Sequence, residues 1–180
     1  IELNDGKCTP APWVNVIANP SFGSLVSAEG SGYTWSLNSQ QNPLTPWPND
    51  PVSDRPCEVL YLRDEDDGEV WSATALPIRV AGASYAATHG KGWTRFDCNA
   101  HGIDLELTVC VPTEDSLKLS RLYVCNRSGV KRNLSITSYV EWALGPVGSA
   151  VAPYVVSSVD TQTGALFVRN PWRAEFADRI

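Results

Sequence analysis

The sequence predicts an all-β protein, a large antiparallel β-sandwich with little or no helix. Apolar and polar residues alternate over several segments, which is the pattern of strands with one buried face. Turn residues separate these segments at roughly ten-residue intervals, as in sandwiches and barrels. No segment has the 3.6-residue apolar period of a helix. With 180 residues and a hydrophobic fraction of 43%, the chain can bury a core as one domain over residues 1–180.

The first part of the chain is rich in proline, which excludes long helices and central strands there. Short strands fit between the prolines, at residues 13–17 and 24–27. Residues 38–54 are rich in Pro, Asn and Trp, and we expect them to form a long surface loop. Ordered loops of this length are uncommon unless they have a function. The loop is therefore the first place to look for a binding site.

From Glu58 onward the apolar residues recur at every second position. Residues 103–111 and 134–142 each predict a strand with one buried face. In residues 117–124 the phase of the apolar residues changes, and we interpret the change as a β-bulge near Ser120. Turn residues join the predicted strands in three places, at residues 64–68, 99–102 and 126–129.

Charge and cysteine content restrict the class of protein. The net charge of −6 and the pI near 4.8 argue against nucleic acid as a partner and against direct contact with an anionic membrane. The five cysteines are odd in number and lack CxxC spacing, so we expect mostly reduced core thiols in a cytoplasmic setting. The chain has no Met and begins at Ile1, which we interpret as part of a longer protein.

The sequence offers little for catalysis. His89 and His101 both precede glycine, and we interpret them as solvated turn residues. The acidic residues of the 64–68 turn do not have calcium-loop spacing, so a solvated acidic turn is expected. Asp50 and Asp54 could form a glycosidase pair, but nothing in the sequence desolvates either one. We therefore expect Asp50 and Asp54 to structure the loop or to contact a ligand at its rim, and we expect neither a catalytic residue nor a metal site in this chain.

Aromatic residues make the loop a candidate binding site. A sugar has an apolar ring face and a rim of hydroxyls, so its site needs an aromatic platform edged by amides and carboxylates. The loop region has this composition, and the alternative is that its tryptophans only anchor the fold. The candidate sugar contacts are Tyr33, Trp35, Asn38, Gln40, Trp47, Asn49, Asp50 and Asp54. Three other tryptophans lie on predicted strands and are expected in the core: Trp71, Trp93 and Trp142.

Several segments together, and in order, resemble one protein family. They include Gly32-Tyr-Thr-Trp35, Leu44-Thr-Pro-Trp47, Asn49-Asp-Pro-Val-Ser-Asp54, His89-Gly-Lys-Gly-Trp-Thr-Arg-Phe96 and Tyr139-Val-Glu-Trp-Ala-Leu-Gly145. The set resembles the amino-terminal domain of glycoside hydrolase family 94, formerly glycosyltransferase family 36. Within that family it is most similar to the phosphorylase-like module of the cyclic β-1,2-glucan synthases. The resemblance implies a galactose-mutarotase-like supersandwich.

The resemblance also implies a non-catalytic domain of a larger carbohydrate-active enzyme. Family members cleave β-glucosidic bonds with inorganic phosphate as co-substrate, and their catalytic acid lies in an (α/α)6 barrel outside residues 1–180. We therefore expect no cofactor. The implied partners are a β-glucan oligosaccharide, the enzyme's own barrel and a second subunit in a homodimer. Residues 33–54 would reach the glucan cleft. A synthase parent would be an inner-membrane protein with this domain facing the cytoplasm.

Two other functions stay open on the sequence. In one, the chain is an autonomous carbohydrate-binding module that holds β-glucan through Trp35, Trp47 and the amide-rich loop. In the other, it is a sugar epimerase on a related sandwich, which would need a histidine and a carboxylate facing one cleft. The presence of only two histidines, both in predicted turns, makes the epimerase the weaker alternative.

Overall fold

The computed structural model describes residues 1–47, 50, 52–146 and 152–173. These residues form twelve strands and one 3₁₀ turn at Ala152–Tyr154, with no α-helix in the described part. The strands are β1 (Val14–Ala18), β2 (Phe22–Ser27), β3 (Gly32–Ser36), β4 (Glu58–Asp64), β5 (Val70–Ser72), β6 (Ser84–Gly90), β7 (Trp93–Ala100), β8 (Ile103–Cys110), β9 (Leu119–Asn126), β10 (Leu134–Val140), β11 (Val156–Val159) and β12 (Leu166–Arg169). The predicted antiparallel β-sandwich is confirmed.

The strands pair into four antiparallel sheets. Their orders are β1-β2-β3, β10-β4-β5, β6-β7-β8-β9 and β11-β12. The β6–β9 sheet is a meander, in which each strand pairs with the next along the chain. In β8 the side chains of Ile103, Leu105, Leu107 and Val109 are buried, as the alternation predicted. Within the described residues, no helix is both long and apolar enough to span a membrane.

The hydrophobic core lies between these sheets. Its most buried large side chains are Trp71 on β5, Leu62 on β4, Ile17 on β1 and Ile103 on β8. They come from three different sheets, so burial of apolar surface holds the sheets together. The prediction that Trp71 belongs to the core is confirmed. Trp142 follows β10 and is half-buried against the core.

The predicted bulge near Ser120 was wrong. The register between β8 and β9 runs without interruption from Ile103 opposite Asn126 to Cys110 opposite Leu119. The apolar phase changes for another reason: Leu119 is exposed on the outer face of the sheet, whereas Leu122 packs against the core on the inner face. The regular strand β9 therefore has apolar residues on both faces, and this produced the change of phase that we had interpreted as a bulge.

Other side chains also differ from expectation. Trp93 is exposed because it lies on the outer face of the β6–β9 sheet. His89 lies on β6 rather than in a turn, and is half-buried. His101 is in a turn, but its ring packs against Trp71 at 5.0 Å between centroids. The 64–68 turn does join β4 and β5, yet Asp64 is 1% exposed and forms an ion pair with Arg132.

All five cysteines are free thiols, as predicted, although their burial varies. Cys57 and Cys98 are buried, Cys110 and Cys125 are half-buried, and Cys8 is exposed. Burial raises the pKa of Cys57 and of Cys98 to about 12. Both buried thiols are therefore protonated and unreactive at neutral pH.

Candidate functional site

The outer face of the β1–β3 sheet carries the candidate site. Tyr33 on β3 lies opposite Leu25 on β2, which lies opposite Val16 on β1. Trp35 lies opposite Gly23. Residues directly opposite one another project to the same side of a sheet, and so do residues two apart along a strand. These side chains therefore share one face, and Tyr33 and Trp35 are neighbours on it.

Three aromatic rings meet on this face, and we call Tyr33, Trp35 and Trp47 the aromatic cluster. The rings of Tyr33 and Trp47 are stacked, with centroids 5.0 Å apart and planes within 6°. Tyr33 and Trp35 are 5.1 Å apart and tilted by 35°. Tyr33 is only 6% exposed, whereas Trp47 is 50% exposed. Trp47 is therefore the ring that a sugar can reach, and Tyr33 holds it from behind.

Trp35 is held by the strand opposite it. A Cβ atom placed on Gly23 would lie 2.3 Å from an atom of the Trp35 ring. The indole therefore occupies the space that a side chain at position 23 would fill. The hydroxyl of Tyr33 hydrogen-bonds to Ser39, and burial raises the pKa of Tyr33. The buried Tyr33 and the half-buried Trp35 are thus fixed in place.

The polar candidates mostly structure the loop. The side-chain oxygen of Asn38 accepts hydrogen bonds from the backbone N–H groups of Gln40 and Gln41, at 2.9 and 2.8 Å. Gln40 itself is exposed. The carboxylate of Asp50 accepts from the N–H of Val52 at 2.8 Å and from the hydroxyl of Ser53 at 2.6 Å. These bonds, with that of Ser53 largest, lower the pKa of Asp50.

Asp54 approaches the β1–β3 sheet at another position. Its Oδ2 accepts a hydrogen bond of 2.7 Å from the hydroxyl of Ser27, at the end of β2. Its φ of 39° lies in the left-handed region, where Asp and Asn are tolerated better than most residues. Asn49 lies outside the described residues. The structure therefore brings the aromatic candidates together, and it gives Asn38, Asp50 and Asp54 bonds within the loop and to its sheet.

A buried polar network supports the loop from the inner side of the sheet. It consists of Thr34, Thr45, Glu58 and Lys118, and we call it the Glu58 network. The hydroxyls of Thr34 and Thr45 donate to Oε1 of Glu58, at 2.6 and 2.9 Å. The Lys118 ammonium forms an ion pair with Oε2 and donates to the Thr34 hydroxyl at 2.8 Å. The sequence did not predict this network, because no local pattern joins its members.

The network attaches the middle of the loop, at Thr45, to the core. The backbone N–H of Thr34 donates to the Thr45 hydroxyl at 2.8 Å, two residues before Trp47. Burial by itself would raise the pKa of Glu58, but the charge of Lys118 and the hydrogen bonds outweigh it, so the pKa is lowered. Glu58 is therefore ionised at neutral pH. A cavity of about 120 Å³ adjoins Glu58 and Lys118 between the sheets.

The histidines do not build a catalytic group here. Nε2 of His89 contacts the backbone oxygen of Trp13 at 3.3 Å, and Nδ1 contacts the hydroxyl of Thr94 at 3.1 Å. Both ring nitrogens are thus engaged away from the aromatic cluster. His101 packs on the core side of the β7–β8 turn. Among the described residues, no three His, Cys, Asp or Glu side chains are arranged to hold a metal ion.

These features define a β-sandwich domain with an aromatic cluster on one sheet. The chain belongs to the family described as glycosyl hydrolase 94, supersandwich domain, whose model matches residues 1–180. The resemblance drawn from the sequence motifs is therefore confirmed.

Curated relatives include enzymes of two kinds. The chain is 38% identical to the cyclic beta-(1,2)-glucan synthase NdvB of Rhizobium meliloti, over 99% of this chain and 6% of that protein. It is 30% identical to the N,N'-diacetylchitobiose phosphorylase of Vibrio proteolyticus, over 78% of this chain and 18% of that protein. It is 28% identical to the solabiose phosphorylase of Paenibacillus borealis, over 77% of this chain and 18% of that protein. The chain thus spans less than a fifth of each relative.

Proposed function

We propose that this chain is the non-catalytic amino-terminal domain of a larger enzyme that acts on β-glucans, and that its aromatic cluster contacts the glucan. The observation that carries this function is the Trp47 ring, half-exposed and stacked on Tyr33. A ring fixed on one face and open on the other is a suitable platform for the apolar face of a sugar. The names of the relatives, a glucan synthase and disaccharide phosphorylases, support a carbohydrate ligand.

The rest of the parent enzyme would carry the chemistry. The chain covers only 6% to 18% of these relatives, which leaves ample length for a catalytic (α/α)6 barrel. Inorganic phosphate would be the co-substrate of that barrel and needs no site in this chain. We further propose that the parent is a homodimer at the inner membrane, with this domain facing the cytoplasm. Light scattering and membrane fractionation of the parent enzyme test these two points.

Packing on the barrel would be a second role of the domain. The β11–β12 hairpin exposes four large apolar side chains: Val156, Val159, Leu166 and Phe167. A two-stranded hairpin is only marginally stable in water by itself. Val159 and Leu166 lie on one face of the hairpin and Val156 and Phe167 on the other, so both faces expose apolar surface, which marks contact surfaces. We propose that the barrel of the parent enzyme packs against this hairpin.

Calorimetric titration with linear β-1,2-gluco-oligosaccharides tests the glucan contact. We expect weak binding that Trp47→Ala reduces, since it removes the contribution of the aromatic cluster, and that inorganic phosphate does not change. Trp172→Ala is the matched control, because Trp172 is also exposed but lies outside the aromatic cluster. Absence of binding at millimolar sugar, in a sample shown to be folded, would refute the contact.

The autonomous carbohydrate-binding module remains the second candidate. The same titration separates it from the first. Micromolar affinity of this chain alone would favour a self-sufficient module, because it would show that the barrel adds nothing to binding. Millimolar affinity would favour a loop that completes a cleft formed mainly by the barrel. The epimerase is the weaker candidate, because both ring nitrogens of His89 are engaged by Thr94 and Trp13 and the His101 ring packs against Trp71.

A further inference from the structure

The outer face of the β6–β9 sheet carries a second exposed tryptophan platform. Trp93, the first residue of β7, lies opposite Gly90 on β6 and is 37% exposed. A Cβ atom placed on Gly90 would lie 2.3 to 2.6 Å from three atoms of the Trp93 indole. The indole therefore lies directly over the backbone of Gly90. One side of the ring system is against the sheet, and the exposed part is turned to solvent.

This arrangement repeats one from the aromatic cluster. There, too, a tryptophan lies over a glycine on the strand opposite, Trp35 over Gly23, with the same separation of 2.3 Å from a built Cβ. In both places the missing Cβ of the glycine leaves the space that the ring occupies. A ring held against the backbone in this way is preorganised, so a ligand that stacks on it does not have to order the side chain.

Charged and polar side chains border this ring in the next row of the sheet. Thr88, Arg95, Thr108 and Arg121 lie opposite one another, two residues along their strands from the Trp93 row. Arg95 is paired with Asp97 and Arg121 with Glu106, each at 3.0 Å. These pairs give donors and acceptors at the surface with no net charge. A neutral ligand rich in hydroxyl groups therefore fits this border better than an anion or a cation.

We propose that Trp93 is the centre of a second carbohydrate-binding surface, which takes a neutral β-linked gluco-oligosaccharide. One glucose ring would stack its apolar face on the exposed indole. Hydroxyls of this glucose and of the neighbouring units of the oligosaccharide would exchange hydrogen bonds with Arg95, Thr108 and Arg121. This surface lies on a different sheet from the aromatic cluster and holds glucan independently of it. Absence of sugar binding at Trp47 would therefore not contradict binding at Trp93, and absence of binding at Trp93 would not contradict binding at Trp47.

¹⁹F NMR of the chain labelled with 5-fluorotryptophan tests the proposal. The chain has seven tryptophans, so each signal can be assigned by single Trp→Phe variants. Linear β-1,2-gluco-oligosaccharides are the probe, and glycerol at equal hydroxyl concentration is the control. We expect the Trp93 signal to shift with saturation at millimolar sugar, and not to shift with glycerol. The Trp47 signal reports the first site in the same spectra.

Gly90→Ala is the most specific variant, because it keeps the Trp93 indole but displaces it from its place over residue 90. Gly90 does not have a left-handed φ, so alanine fits the backbone while its Cβ displaces the ring. We expect at least a tenfold weaker affinity at Trp93 and an unchanged affinity at Trp47. Arg121→Ala, at an exposed position, is a second variant that should fold normally and weaken binding severalfold. A Trp93 signal that sugar does not move, or binding at Trp93 that keeps its affinity in both variants, would overturn the proposal.

Discussion

Removing the Lys118 ammonium tests the Glu58 network. In Lys118→Met the side chain keeps its approximate length and loses its charge, so Glu58 is left without its cationic partner. The two side chains are 18% and 23% exposed in the native protein, and water can therefore compensate the carboxylate only in part. The hydrogen bonds from Thr34 and Thr45 remain. The variant thus isolates the loss of the ion pair.

The expected cost follows from this burial. Breaking a fully buried ion pair by removing one partner costs about 3–5 kcal/mol. Because about a fifth of each side chain is exposed, we expect the lower part of that range or less, about 2–3 kcal/mol at pH 7. For a domain of this size, 1 kcal/mol shifts Tm by about 2–4 °C, so Tm should fall by about 4–12 °C.

The pH dependence identifies the cause of the loss. In the native protein the pKa of Glu58 lies below its ordinary value of 4.5, so its stabilising effect is present above pH 4.5 and is lost as pH falls through the folded-state pKa. In Lys118→Met only the hydrogen bonds from Thr34 and Thr45 still offset the desolvation, so the pKa of Glu58 should rise relative to the native protein. Protonation then relieves the variant in acid. The difference in free energy of unfolding should therefore shrink between pH 7 and pH 4.

Urea unfolding at several pH values measures this difference. Lys131→Met is the matched control, because Lys131 is exposed and its replacement should change stability by less than about 0.5 kcal/mol. Adding Glu58→Gln to Lys118→Met removes the unpaired charge, so the double variant should be more stable than Lys118→Met at pH 7. A loss of stability that is equal at pH 4 and pH 7 would refute the ion-pair explanation.

Two further predictions concern other surfaces. Burial, together with the nearby ammonium of Ile1, lowers the pKa of His89, so the neutral ring stabilises the fold above pH 6.5 and this effect is lost as pH falls through the folded-state pKa. In urea unfolding, His89→Gln should therefore make the free energy of unfolding less dependent on pH below 6.5. An unchanged pH dependence would contradict this. The isolated chain should self-associate through the exposed apolar side chains of the β11–β12 hairpin, and Phe167→Asp should lower its sedimentation coefficient toward that of a monomer. A native chain that is already monomeric would contradict this prediction.

The sequence predicted the strands better than it predicted which faces of them are covered. Alternation over residues 103–111 identified β8, and its buried side chains are the ones expected. This two-residue alternation does not predict which other elements pack against each face of the strand. Trp93 and Leu119 are on the outer face of the β6–β9 sheet, so an apolar residue on a strand was not a core residue at either position.

The candidate site was predictable in composition and only partly in geometry. Aromatic and amide residues in one loop pointed to Tyr33, Trp35 and Trp47, and these rings do meet. The hydrogen bonds that occupy the polar candidates could not be read from their types. The Glu58–Lys118 pair joins residues that are 60 positions apart, and only the folded arrangement of the sheets brings them together.

The Glu58 network also divides the long loop into parts with different dynamics. The backbone N–H groups of Thr34 and Leu44 are bonded beside a carboxylate whose partner, Lys118, belongs to the β8–β9 connection. Hydrogen exchange at these amides therefore requires the sheets to separate, and its rate should follow the global free energy of unfolding. Near Gln40 the chain is exposed, and the amides of Gln40 and Gln41 donate to Asn38 of their own turn, so local opening suffices for exchange at these two amides. Mobility at the tip of the loop thus coexists with a base that opens only when the whole domain does.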